Sequence, residues 1–254
     1  ICDQTYQGFM IVGTRPSMRA HKTSFNANVR AALSNRTLQE ALGGLDSGLV
    51  ARRRAAVDGV ADFGALREQG KAIRDRTLDD LAHHLETFER NAIRAGSVVH
   101  WASTALQARE IVLGLCQKVG ARLVTKGKSM VSEEIALNAH LQAAGIETIE
   151  TDLGEYILQL RGEMPSHIIA PAIHLTQGDV EDCFRHHHTH LPPDRQFADA
   201  ASLVAEARGI MREKFLSADV GITGANFLVA ETGSTVIVTN EGNGDLTQTL
   251  PRLH

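Results

Sequence analysis

The spacing of apolar residues changes at Gly96, and that change constrains the fold more than any other feature of the chain. From about Ser24 to Ala95 the sequence is rich in Arg, Glu, Asp and Ala and contains no proline. Leu78, Leu81, Leu85, Phe88 and Ala92 recur at alternating intervals of three and four, which sets them on one face of a helix. Gly43-Gly44 and Gly48 break an earlier helix bearing Val29, Leu33 and Leu42, and Val57, Val60 and Ile73 predict another between them. Residues 1–95 therefore read as an N-terminal helical arm whose apolar face packs against a neighbouring domain or subunit.

After Gly96, short β-branched runs alternate with helical periodicity, the pattern of an α/β domain over residues 96–254. The runs predict strands at 98–101, 122–125, 146–149, 167–170, 220–223, 227–230 and 235–239. Helix faces lie between them: Val112, Leu115, Cys116 and Val119; Val131, Ile135, Ala139 and Leu141; Tyr156 to Leu160; and Val204, Ala207, Met211 and Phe215. Asp152 stands where a helix cap belongs, with Glu155 three residues on. The last two strands flank Glu231-Thr232-Gly233-Ser234 and read as a hairpin. The expected fold is a mostly parallel sheet flanked by helices, with an antiparallel portion near the C-terminus.

Composition narrows the function classes. The net charge is −4, and the 26 Lys and Arg residues are spread along the chain, so no nucleic-acid surface is expected. No apolar run approaches the roughly 20 residues that span a bilayer, and no basic-then-apolar leader opens the chain, so a cytoplasmic protein without a membrane span is expected. Cys2, Cys116 and Cys183 are odd in number and far apart, which argues against a disulfide framework or a Cys-x-x-Cys ligand pair. The chain opens at Ile1 and closes on a strand-like stretch, 250–254, so it is expected to be cut from a longer polypeptide.

Several motifs carry possible chemistry. Gly127-Lys128-Ser129 imitates the end of a phosphate-binding loop between a strand and a helix, but Arg122 stands where that loop needs glycine. Lys126 and Lys128 at a helix start could still hold a carboxylate or phosphate, or be ordinary lysines beside a capped helix. Gly242-Asn243-Gly244 resembles the start of a dinucleotide fingerprint, yet it follows the last strand and has Thr247 in place of the third glycine. The turns around Asn226, Glu231 to Ser234 and Asn240 to Asn243 collect amides, carboxylates and small residues at strand ends, where α/β proteins place ligands. His186, His187, His188 and His190 read as an exposed helix end rather than a metal site, because adjacent side chains diverge. His174 lies beyond a predicted strand end and reads either as a base or as a packed histidine.

Four stretches together carry a family likeness: Lys128-Ser129-Met130-Val131-Ser132-Glu133-Glu134-Ile135, Thr151-Asp152-Leu153-Gly154-Glu155-Tyr156-Ile157, Pro165-Ser166-His167-Ile168-Ile169-Ala170-Pro171-Ala172-Ile173-His174, and residues 219–243. In this order they resemble the lactate utilisation protein B family, which carries an LUD domain. The resemblance implies a fold similar to sugar-phosphate isomerases and CoA transferases. It also implies a cytoplasmic subunit of a three-component system that oxidises L-lactate to pyruvate, with lactate utilisation proteins A and C as companions. Family members join the LUD domain to a ferredoxin-type domain whose cysteines bind 4Fe-4S iron-sulfur clusters for electron transport. That second part is not found in this chain, so no cofactor is expected in the fragment itself and the clusters are expected in the missing C-terminal domain.

Oxidation of a 2-hydroxy acid needs a carboxylate anchor, a base and an electron acceptor. The candidate catalytic residues are Glu231 and His174. The candidate binding residues for a small 2-hydroxy or 2-oxo acid are Lys126, Lys128, Ser129, Glu133, Asn226, Thr232, Gly233, Ser234, Asn240, Glu241 and Asn243, and no metal ligand is assigned. The fragment is expected to be inactive alone. Two alternatives stay open: an acyl- or CoA-transferase-like or phosphate-binding domain with Glu231 as nucleophile, and a non-catalytic scaffold whose arm binds a partner subunit.

Overall fold

A computed structural model describes residues 24–166 and 170–254. The N-terminal part is helical: α1 (Phe25–Ser34), α2 (Arg36–Gly43), a wide turn over Asp46–Val50, α3 (Ala51–Asp58), α4 (Phe63–Asp79) and α5 (Leu81–Arg94). The first four helices contain no buried residue. The breaks differ from those expected. Asn35 ends α1 and caps α2 through Leu38 N–H, so Val29 and Leu33 are on one helix and Leu42 on the next. The single apolar face expected over Leu78 to Ala92 is also divided, because the chain leaves helical geometry at Asp80 (φ −131°, ψ 43°). Leu78 closes α4 and stays exposed, whereas Ala92 at the far end of α5 is buried.

The α/β part begins with α6 (Ala105–Lys118), capped by Thr104, followed by β1 (Leu123–Lys126), α7 (Met130–Glu134), α8 (Leu137–Ala143) and β2 (Glu147–Glu150). Then come α9 (Leu153–Arg161), α10 (Gln177–His187), α11 (Ala200–Ser217), β3 (Val220–Ile222), β4 (Phe227–Val229), β5 (Ser234–Val236) and α12 (Asn243–Thr249). Three strands form a parallel sheet in the order β2-β1-β3. The strand-like C-terminus adds one parallel bridge, Leu253 to Val220. The antiparallel portion is the separate hairpin β4-β5. The expected α/β class, a mostly parallel sheet flanked by helices, is what the chain forms.

Alternation along the strands builds a core on each face of the sheet. Leu123 and Ile149 point to one side with Tyr156 and Ile157 of α9, Phe184 of α10 and Met211 and Phe215 of α11. Val124 and Val220 point to the other with Cys116 of α6 and Leu137 and Leu141 of α8. Two expected elements differ. Residues 98–101 form no strand: Val98 is 76% exposed and Trp101 donates its indole N–H to Glu89 (2.8 Å), because β-branched residues with no neighbouring strand gain nothing from extension. The single helix expected over Val131 to Leu141 is broken at Ala136, whose φ is +53°. Of the strand expected at 167–170, residues 167–169 lie outside the described residues.

The histidine cluster also departs from its sequence reading. His188, at the end of α10, is buried rather than exposed. Its Nδ1 lies 2.7 Å from Glu206 and its Nε2 2.9 Å from the Tyr156 hydroxyl, while Arg195 clamps the same Glu206 at 2.6 Å. This relay ties α9, α10 and α11 together, and Tyr156 and Phe184 pack on the imidazole. The hairpin is fixed by a different contact. Asn91 of α5 donates to the carbonyls of Ala230 (2.8 Å) and Glu231 (2.9 Å), and Gly233 turns at φ +71° against the α5 backbone. A Cβ on Gly233 would meet the Ala92 nitrogen at 2.1 Å.

Two predictions follow from these contacts. Gly233→Ala combines a strained φ with a backbone collision, so a loss of about 2–4 kcal/mol is expected. Gly242→Ala has a similar φ of +74° but open space around it and should lose only about 1 kcal/mol. Urea denaturation of the two variants checks the difference. The relay also makes the fold acid-sensitive. Burial pulls the His188 imidazole below its ordinary 6.5 despite Glu206, so below that pH the unfolded chain binds more protons than the folded one. Burial raises the Glu206 carboxyl, but Arg195 and His188 outweigh it and hold it below the ordinary 4.5. The His188 contribution is therefore complete above pH 6.5 and lost as pH falls, and the Glu206 contribution is lost below 4.5. The urea midpoint should decline in two stages on acidification, and His188→Gln should lower the plateau while removing the upper stage.

Candidate functional site

The C-terminal ends of β1 and β2 carry an unusual load for a sheet centre. Lys126 and Glu150 are register partners and almost wholly buried, at 1% and 0% side-chain exposure, with Nζ 2.9 Å from Oε1. Lys126 also donates to Ser132 Oγ of α7 (3.0 Å), and Asn138 of α8 donates to the same Glu150 oxygen (2.6 Å). Glu150 Oε2, Thr125 Oγ1, Asn138 Oδ1 and Glu133 Oε1 are buried without a hydrogen-bond partner among the described residues. The Lys126 ammonium is therefore engaged inside the protein rather than presented to a ligand.

Around this buried pair the strand-end turns converge. Gly127 N–H bonds the Ile222 carbonyl of β3 (2.8 Å), and Ser129 caps α7 by accepting from Ser132 N–H. Lys128 is half-buried and interacts electrostatically with Glu241. Thr151, just past β2, donates to the Lys126 carbonyl (3.1 Å) and lies within hydrogen-bonding reach of Thr247 and Asn243 of α12. Glu241 accepts weakly from Leu153 N–H at the start of α9 (3.4 Å). Burial, and then the nearby Asp152 charge, push the Glu241 carboxyl above its ordinary value, partly offset by Leu153 N–H and Lys128. Asp152 caps α9 through Glu155 N–H, as its position predicts. Thr151, Glu241 and Asn243 line a cavity of about 780 Å³ that continues along α11 and α12.

The remaining candidates stand elsewhere. Glu231, Thr232 and Ser234 are exposed in the hairpin turn, where Thr232 donates to Ser234 (3.0 Å) and the Glu231 carbonyl is held by Asn91. Asn226 is spent on the hairpin, accepting from Val238 N–H (2.8 Å). Asn240 is exposed, and neither it nor Glu231 lines the cavity. His174 is held at both ring nitrogens, by Ser166 Oγ (2.8 Å) and Glu163 Oε2 (2.9 Å), and Glu163 in turn pairs with Arg161. The structure thus gathers Lys128, Glu241 and Asn243 and separates them from His174 and from the hairpin. Sequence reading passed over Thr151 and Thr247, which only the fold brings beside Asn243, and over the cavity wall on α11.

Among the described residues no group of three or more His, Cys, Asp or Glu side chains is placed to hold a metal ion. Cys116 and Cys183 are buried in the two separate cores, and burial raises both thiols, Cys183 to about 11. They do not fit an iron-sulfur ligand set, which needs thiolates close together. Cys2 lies outside the described residues.

The buried pair generates a mutational prediction. Lys126→Met leaves the Glu150 charge buried and unpaired and should cost about 3–5 kcal/mol. The double variant Lys126→Met/Glu150→Leu removes both charges and should recover most of that loss. Denaturant titration of the single and double variants measures the coupling.

Comparison with known proteins agrees with the family likeness read from the sequence. The chain is 39% identical over 241 residues to lactate utilization protein B of Bacillus subtilis (strain 168) and 39% identical over 237 residues to that of Geobacillus sp. (strain WCH70). The Bacillus cereus (strain B4264) protein of the same name is 37% identical over 236 residues. Each match covers 93% of this chain and 49% of the relative, so the chain spans about half the length of the curated relatives it matches. No solved structure matches the chain. The LUD domain family matches residues 85–254, from within α5 to the last residue, and the chain belongs to that family.

Proposed function

We propose that this chain is the LUD-domain part of a lactate utilisation subunit and that it binds L-lactate or its 2-oxo product at the strand-end cluster of Lys128, Glu241 and Asn243. The similarity to lactate utilization protein B over 93% of the chain carries the assignment of the pathway. An amide and a carboxyl at one cavity wall, Asn243 and Glu241, with Lys128 interacting electrostatically with Glu241, support the place. Lys128 and Asn243 suit a carboxylate and the neighbouring hydroxyl or keto oxygen. Glu241, with its proton affinity raised, suits the role of base for the hydroxyl better than His174, whose ring is held on both sides.

In this reading oxidation of the hydroxy acid delivers the hydroxyl proton to Glu241, and the Cα hydrogen leaves as a second proton and two electrons, all three passing to an acceptor outside the residues of this chain. An iron-sulfur domain and companion subunits A and C are the proposed route, and the cytoplasm is the proposed location. Among the described residues no helix is long and apolar enough to cross a membrane.

Calorimetric titration of the 254-residue chain with L-lactate and pyruvate tests the proposal. Saturable binding is expected, weakened at least about tenfold by Lys128→Ala and by Glu241→Gln, a loss of about 1.4 kcal/mol or more. Glu231→Gln should leave it unchanged. Loss in Glu231→Gln alone would move the ligand to the hairpin turn, and lactate oxidation by this chain without other subunits would overturn the assignment of the electrons elsewhere.

A further inference from the structure

The cavity beside α11 is larger than a three-carbon acid needs, and its far side has chemistry that the lactate reading leaves unused. Its volume, about 780 Å³, falls in the range of sites for drug-sized ligands. Arg208 and Arg212 stand one turn apart on α11, both line the cavity, and neither guanidinium makes a hydrogen bond or ion pair among the described residues. Between and around them the wall is apolar: Met211 and Phe215 from α11, Leu246 from α12 and Leu250 just after it. Leu246 and Leu250 remain 41% and 45% exposed.

Gly209 adds an independent observation. It interrupts a long helix where alanine would favour helix formation, and a Cβ built on it meets no atom within 4 Å. No packing partner among the described residues requires glycine there. It lines the cavity next to Arg208, and the space where its side chain would begin is open.

We propose that this cavity binds an amphipathic organic anion, its carboxylate or phosphate on Arg208 and Arg212 and its apolar body against Met211, Phe215, Leu246 and Leu250. Among the described residues, the two guanidiniums outnumber the one acidic group lining the cavity, Glu241. That carboxyl also accepts Leu153 N–H at the start of α9. The apolar wall gives an inorganic anion nothing to cover, and the arginines give a neutral alkyl chain no reason to stay. Both features are used only by a ligand that combines them.

The test is calorimetric titration of the 254-residue chain with octanoate, octyl phosphate, 1-octanol and inorganic phosphate. One saturable site is expected for octanoate or octyl phosphate, with 1-octanol and inorganic phosphate at least about tenfold weaker. The tighter of the two octyl anions identifies the headgroup. Arg208→Gln/Arg212→Gln, at two exposed positions, should weaken binding at least about tenfold without lowering Tm, and Gly209→Leu should block it by filling the space. Unchanged affinity in the double arginine variant, binding intact in Gly209→Leu, equal binding of inorganic phosphate, or no saturable binding of either octyl anion would each overturn the proposal. The inference does not rest on the lactate reading: a chain that ignores L-lactate but binds octanoate through the arginines leaves it standing.

Discussion

The pair of Lys126 and Glu150 is the constraint around which the strand ends are arranged. Two opposite charges at 1% and 0% exposure are tolerable only in contact, because either one alone in that interior costs several kcal/mol. They are register partners across β1 and β2, so the ion pair and the strand alignment are one condition. A slip of one residue would carry one charge to the opposite face of the sheet and break the pair. The same two side chains also hold the connection that follows β1. Ser132 reaches Lys126 from α7 and Asn138 reaches Glu150 from α8, which sets the path of residues 127–129 and hence the position of Lys128.

The hairpin obeys a different logic. It shares no ladder with the parallel sheet, and two short strands alone are marginal in water. Its support is α5, through the Asn91 amide and the close approach of Gly233 to Ala92. The family match opens within α5, just ahead of these residues, so the helix that closes the N-terminal run is also the brace of the last turn cluster. This division explains why candidate residues adjacent in sequence serve different ends. Glu231 to Ser234 belong to the brace, whereas Glu241 and Asn243 belong to the cavity.

Local signals were legible wherever the deciding contact was near in sequence. The Asp152 cap, the turn at Gly233 and the two-sided burial of Leu123 and Val124 are written in spacings of one to three residues, and each appears in the fold. The failures have distant causes. Val98 and its neighbours have strand composition but no partner strand among the described residues. Lys126 looked like a ligand-facing cation because its counter-charge lies on another strand, and only the register brings Glu150 to it. His188 looked exposed because it is followed by Thr, His and a pair of prolines, yet Glu206, Arg195 and Tyr156 come from three segments to enclose it. The arginines of α11 gave no motif at all, since two cations one turn apart are ordinary on a helix until the opposite wall is known.

Helix α11 shows how the fold can keep such a wall open. A glycine inside a helix costs about 1 kcal/mol relative to alanine, which an isolated segment would express as fraying. Here the helix begins in a reciprocal cap, Asp199 accepting from Ser202 N–H and Ser202 accepting from Asp199 N–H, of a kind that contributes about 1 kcal/mol. Leu203, Ala207, Met211 and Phe215 then anchor one side in the core, and Glu206 is fastened to α10 through His188. With its start capped and its inner face buried, the helix can leave Gly209 and two guanidiniums without a partner among the described residues at the cavity. The cost of that open wall is offset by the cap and by the buried residues of the same helix, of which Ala207, Met211 and Phe215 also line the cavity.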